Sequence, residues 1–106
     1  MKMLQFSEFQ ANVMEWAAAR KIYKNGTSIA QLLKAVSEMG ELADAHAKNK
    51  REDKIDAVGD VLVCLVNYCY MEDIPMGQAM GQAWNEIKNR KGYMSETGVF
   101  VKNEEN

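Results

Sequence analysis

Apolar residues recur at helical spacing in four stretches of the chain, and polar or turn-forming residues separate them. Phe9, Val13, Trp16 and Ala17 mark the first stretch. Ser7-Glu8-Phe9-Gln10 opens it with a capping-box pattern, and Asn25-Gly26 ends it, so a helix is predicted over 7–25. Ser28-Ile29-Ala30-Gln31 repeats the capping signal. It precedes a stripe of Ile29, Leu32, Leu33, Val36, Gly40, Ala43 and Ala47, predicted to face the core. Lys48-Asn49-Lys50-Arg51 breaks the pattern. A third helix is predicted over 52–72; it is apolar nearly all round from 61 to 71, as suits a buried central helix. Asp73-Ile74-Pro75 reads as a turn, with Pro75 in the first turn of a fourth helix carrying Met76, Met80, Ala83, Trp84 and Ile87. Val99-Phe100-Val101, after Thr97-Gly98, suggests a short extended segment or hairpin, and 103–106 are expected to fray. Short connections between four helices predict an all-α, antiparallel four-helix-bundle-like fold in one domain, 1–106.

Composition narrows the function classes. The 106 residues are 47% apolar and 26% charged, ordinary globular usage that excludes global disorder. A net charge of −2 gives no electrostatic reason to expect a nucleic-acid polymer or an anionic membrane as partner. The longest apolar stretch, 61–71, is interrupted by Asn67 and is about half of what a bilayer span requires. No leader pattern is read at the start, so a cytoplasmic location is expected. Cys64 and Cys69 lie five apart, roughly 140° round a helix, and cannot bridge each other there. They are expected to be small core residues, and His46, on another segment, is expected at the surface.

The acidic residues carry the chemistry. Glu38 and Glu41 are three apart on the second helix, roughly 60° from each other on one face. Asp56 and Asp60 are four apart on the third. If these helices pack side by side, four carboxylates converge, and a cation is needed to offset their repulsion. Oxygen donors without histidine or cysteine point to Mg²⁺, with Mn²⁺ as a substitute, and Mg²⁺ favours phosphate-bearing partners. Spacing alone also fits a solvated acidic face. Gly40 and Gly59 stand inside these helices, where glycine costs about 1 kcal/mol relative to alanine, and a close helix–helix approach would offset that cost. Asn67, about two turns beyond Asp60, is either a core amide or a ligand contact.

Lys34-Ala-Val-Ser-Glu-Met-Gly-Glu-Leu-Ala-Asp44 followed by Asp56-Ala-Val-Gly-Asp-Val-Leu-Val63 resembles the MazG-like family of all-α nucleotide pyrophosphohydrolases. That family pairs a Glu-Glu-x-x-Glu segment on one helix with a Glu-x-x-Asp segment on the next. Ala83-Trp-Asn-Glu-Ile-Lys-Asn-Arg-Lys-Gly92 and Gly98-Val-Phe-Val-Lys102 resemble its small, single-domain branch. The resemblance implies a MazG-type fold and Mg²⁺-dependent cleavage of a standard or modified nucleoside triphosphate between its α and β phosphates. Glu38, Glu41 and Asp60 match acids of the two segments, and Asn67 matches an asparagine further along the helix. Ser37 replaces the first glutamate, and Ala57 stands where the second segment's glutamate is usual, with Asp56 beside it.

On this reading Glu38, Glu41, Asp56 and Asp60 hold the metal, and Glu38 or Glu41 acts as general base. Lys88, Arg90 and Lys91 are candidate phosphate contacts, although basic residues at a helix C-terminus also complement its dipole. Trp16, with Arg20 one turn on, and Trp84 are candidate platforms for the base. Two other readings stay open: a catalytically weakened nucleotide-binding or sensing module, and a structural helical oligomer. A bundle this small offers little depth for a triphosphate, which leads to a homodimer or homotetramer; the resemblance implies the same.

Overall fold

The computed structural model describes residues 1–104. It forms two compact units, Met1–Ile74 and Pro75–Asn106. The first holds α1 (Phe6–Ala19), α2 (Ile22–Asn25), α3 (Ser28–Ala47) and α4 (Arg51–Met71). The second holds α5 (Met76–Ile87), β1 (Gly92–Met94) and β2 (Phe100–Lys102). The expected mostly helical chain with a small C-terminal hairpin is what the structure has.

The boundaries differ from the expectation where local chemistry is richer than the pattern. The first predicted helix is two helices. Lys21 adopts a left-handed conformation (φ 64°), which separates α1 from the single turn of α2. The residue before α1 is Gln5, not Ser7, and its N–H donates to the Glu8 carboxylate at 3.2 Å. Thr27, not Ser28, caps α3: its Oγ1 accepts the Ala30 N–H at 3.2 Å. Pro75 sits just before α5 and not within it. The turns at Asn49 (φ 53°) and Asp73 (φ 54°) use residues that tolerate the left-handed region, and both fall at predicted breaks.

In the first unit α3 and α4 form the most extensive pairing, joined by the three-residue turn 48–50, so they run antiparallel. α1 packs on α4, and α2 on α1. The core consists of Val13 and Ala17 of α1, Ala35 and Ala45 of α3, and Ala57, Cys64, Val66 and Asn67 of α4. The predicted stripe of α3 does not face this core. Leu33 and Val36 are more than 60% exposed, and Ile29 and Met39 more than 50%. The buried residues of α3 are Ala35 and Ala45 instead. The close approach expected at Gly40 and Gly59 is also absent, since a Cβ on either would meet nothing within 4 Å.

In the second unit β1 and β2 pair antiparallel, with Tyr93 opposite Val101. Gly98 takes the left-handed turn position (φ 86°), and a Cβ on Gly92 would run into the Val101 carbonyl. Asn103, expected to fray, is tied to this hairpin: its N–H donates to the Lys91 carbonyl at 2.9 Å. Glu105 and Asn106 lie outside the described residues. Among the described residues no helix is long and apolar enough to cross a membrane.

Candidate active site

Two clefts of the first unit gather the candidate residues. The turn end of the α3–α4 hairpin carries a polar cleft of about 310 Å³. Its acids are Glu41 and Asp44 from α3 and Asp53, Asp56 and Asp60 from α4. Lys48 and Lys50 come from the turn, and the buried Ala45 and Ala57 lie beneath. Lys48 pairs with Asp44 at 3.0 Å, both side chains being well exposed. The second cleft, about 570 Å³, is mainly apolar. Leu4, Phe9, Val13 and Trp16 line one side, and Val63 and Cys64 of α4 line another. Its polar groups are Asn12, Lys34, Glu38 and Asp60. Asp60 lines both clefts and joins them.

Glu38 stands at that junction. Its Oε2 is out of reach of solvent and has no hydrogen-bond partner, although the residue as a whole is half-exposed. Its carboxyl is pushed above the usual range. The largest cause is a hydrogen bond with Glu41, followed by burial and by the charges of Glu41 and Asp60; Lys34 opposes them. Glu41 and Asp60 are thus neighbours of Glu38. The donor set is all oxygen, which suits a hard divalent cation, and the orphaned Oε2 is an acceptor such a cation would satisfy. Among the described residues no three His, Cys, Asp or Glu side chains stand close enough to enclose one ion, so the fit lies in donor chemistry and in that orphaned oxygen. Asp56 lines the polar cleft only, and Ala57 beside it is buried against the cleft floor.

Comparison of the whole chain with solved structures finds a likeness to a cyanophage S-2L MazG-like pyrophosphohydrolase bound to dGDP and three catalytic Mn²⁺ ions per active site. The TM-score is 0.71, the identity 17%, and the match covers 94% of each chain. The fold is MazG-like. Among curated proteins, an uncharacterised 18.2 kDa protein from the rep-hol intergenic region of Haemophilus phage HP1 (strain HP1c1) is 33% identical over 64 residues. Those residues are 60% of this chain and 39% of that protein, so the chain spans well under half of its relative's length. No protein-family model matches the chain.

Within the MazG-like fold the remaining candidate residues separate. Trp16 lines the apolar cleft, 44% exposed, and the Arg20 guanidinium lies 4.8 Å from its ring centroid. Asn67 is in the core and not in either cleft: it is 1% exposed, and its Oδ1 accepts the Tyr23 hydroxyl at 2.7 Å. The Tyr23 ring stacks on Tyr70 at 4.0 Å between centroids, which fastens α2 to α4. Lys88, Arg90 and Lys91 belong to the second unit, at and just beyond the end of α5. Cys64 and Cys69 are free thiols, Cys64 buried as expected and Cys69 half-buried; burial raises both pKa values. His46 is exposed, as expected.

Asn12, Lys34, Lys48, Lys50, Asp44 and Asp53 line the clefts without having been singled out as site residues. Asn12 had a legible signal, since it precedes Trp16 by one turn on the same face. Lys34 likewise precedes Glu38 by one turn.

Proposed function

We propose that the protein is a nucleotide pyrophosphohydrolase that uses Mg²⁺, or Mn²⁺ in its place, to split a nucleoside triphosphate into monophosphate and pyrophosphate. The observation that carries the reading is the junction at Asp60. An oxygen-rich acidic cleft meets an apolar, tryptophan-lined cleft, and a carboxylate oxygen with no partner stands between them. A nucleotide has the same polarity: a flat, largely apolar base at one end and a polyphosphate at the other. The likeness to a fold whose cyanophage example is described with dGDP and Mn²⁺ supports the assignment.

Glu38, Glu41, Asp56 and Asp60 would hold the cations. Bound Mg²⁺ supplies charge neutralisation for the polyphosphate and activation of water. The side chains do the rest. Trp16 offers its face to the base, and the apolar cleft keeps water from its edge. The water oxygen bonds to the α phosphorus as the bond to the α–β bridging oxygen breaks. Pyrophosphate leaves with that electron pair, and Glu38 or Glu41 takes the water's proton. Lys88, Arg90 and Lys91 remain candidate phosphate contacts, with no geometry assigned to them.

We take the protein to be cytoplasmic and its active form to be a homodimer or homotetramer, in which a second copy would cover the exposed Ile29, Leu33, Val36 and Met39 of α3. The test of function is pyrophosphate release from a panel of standard and modified nucleoside triphosphates with Mg²⁺. Release that a chelator abolishes is expected, and no release on any substrate overturns the assignment. Ala57, buried where the resemblance has a glutamate, favours one alternative, binding without turnover. That alternative predicts a raised thermal midpoint with Mg²⁺ and nucleotide but no pyrophosphate.

A further inference from the structure

Lys34 projects from α3 into the apolar cleft, one turn before Glu38. Among the described residues it is the only cation lining that cleft, whose other charged groups are Glu38 and Asp60. Glu38 of its own helix and Cys64 of α4 line the same cleft. Among the described residues it has no ion-pair partner. Lys48 and Lys50, by contrast, line the acidic cleft.

We propose that Lys34 is the protein's own α-phosphate contact, holding the phosphoryl group that is attacked. The inference rests on the nucleotide reading of the two clefts. With the base in the apolar cleft and the pyrophosphate portion over the acids, the first phosphate after the sugar falls at the junction, where Glu38 and Asp60 stand. An ammonium is a compact charge with three donors, suited to the non-bridging oxygens of one tetrahedral phosphate. Those oxygens gain charge as water adds to phosphorus, so a fixed cation there stabilises the transition state more than the ground state. It also counters the repulsion between the incoming phosphate and Glu38.

The test compares a nucleoside with its 5′-monophosphate, each titrated calorimetrically in Mg²⁺ against wild type, Lys34→Met and Lys34→Arg, with Mg²⁺ alone as a further titrant. The expected result is that Lys34→Met lowers monophosphate affinity by about tenfold or more while nucleoside and Mg²⁺ affinities stay within about twofold, and that Lys34→Arg recovers most of the loss. In turnover, Lys34→Met should lower kcat/KM by about 100-fold, mostly in kcat. If the monophosphate advantage survives in Lys34→Met, the proposal is overturned. The same holds if only Mg²⁺ affinity changes, because Lys34 then merely balances the acids. If wild type binds neither nucleoside nor monophosphate, the nucleotide reading itself fails, a separate outcome that removes the basis of this proposal as well.

Discussion

The acidic and the apolar cleft of the first unit share the same two long helices yet present opposite surfaces. The acidic one lies at the α3–α4 turn, where side chains splay from the helix ends and ionisable groups stay wet. The apolar one lies where α1 crosses onto α4, and the third helix turns the surface into a recess lined by Phe9, Val13, Trp16 and Val63. A two-helix hairpin can display carboxylates, because charged residues need only a face and water. It takes a third element to make an apolar recess, since apolar side chains must be flanked on several sides to form one. Asp60 belongs to both clefts, so the molecule joins its two surfaces through one carboxylate.

The sharpest way to break that picture is at the junction. Asp60→Asn and Glu41→Gln keep shape while removing charge, and each should reduce pyrophosphate release by at least about 100-fold with an unchanged circular-dichroism spectrum. Near-normal rates in either would remove the acidic cleft from the mechanism. On the apolar side, Trp16→Ala should raise KM about tenfold with little change in kcat, because a stacking platform serves ground and transition states alike. A loss confined to kcat would contradict that division of labour.

Away from both clefts, Tyr23→Phe leaves the Asn67 Oδ1 buried without its donor. A cost of about 1–3 kcal/mol follows, seen as a thermal midpoint lower by about 5 °C or more, with kcat per folded molecule unaltered. If kcat fell instead, Asn67 would regain standing as a ligand contact.

The smallest expected effect is in alkaline solution. The Cys64 and Cys69 thiols and the Tyr23 phenol all have folded pKa values raised, mainly by burial. In the window above the unfolded thiol value of 9.0 the native state holds more protons than the unfolded state, so stability falls as pH rises. Melting between pH 7 and 10 should show a midpoint that declines above about pH 9, and Cys64→Ala/Cys69→Ala should flatten that decline. A midpoint that rises with pH would contradict the sign.

Much of this was readable in advance, and the misses have physical causes. Helix existence, the polar turn at 48–51 and the turn before Pro75 were legible because they depend on local spacing and turn chemistry. The break at Lys21 was not, since lysine carries no marker for a left-handed backbone. The caps fell one or two residues early, because Gln5 and Thr27 cap as well as the serines that follow them. The α3 stripe was read as core, but a hydrophobic pattern records every surface a chain must cover, not only those its own helices cover. The buried residues of α3 are Ala35 and Ala45, and Ala57 is buried on α4; small side chains leave little trace in a pattern of bulky apolar positions. Asn67 could be placed on a helix face, yet its partner Tyr23 lies 44 residues away.

By itself the amino-acid sequence determined the helices, the pairing of acids three and four apart on them, and the absence of histidine and cysteine from that set. These follow from helical periodicity and donor type, which are local properties. Only the tertiary structure decided that Glu41 and Asp60 bear on Glu38 and that Asp56 shares the polar cleft with Glu41 and Asp60. Only it made Asp60 common to an acidic cleft and an apolar one, turned Asn67 inward and set Lys34 beside Glu38 in the cleft. Such outcomes depend on which faces of α1, α3 and α4 meet, and contacts between residues distant in sequence are settled by packing, which no local pattern encodes.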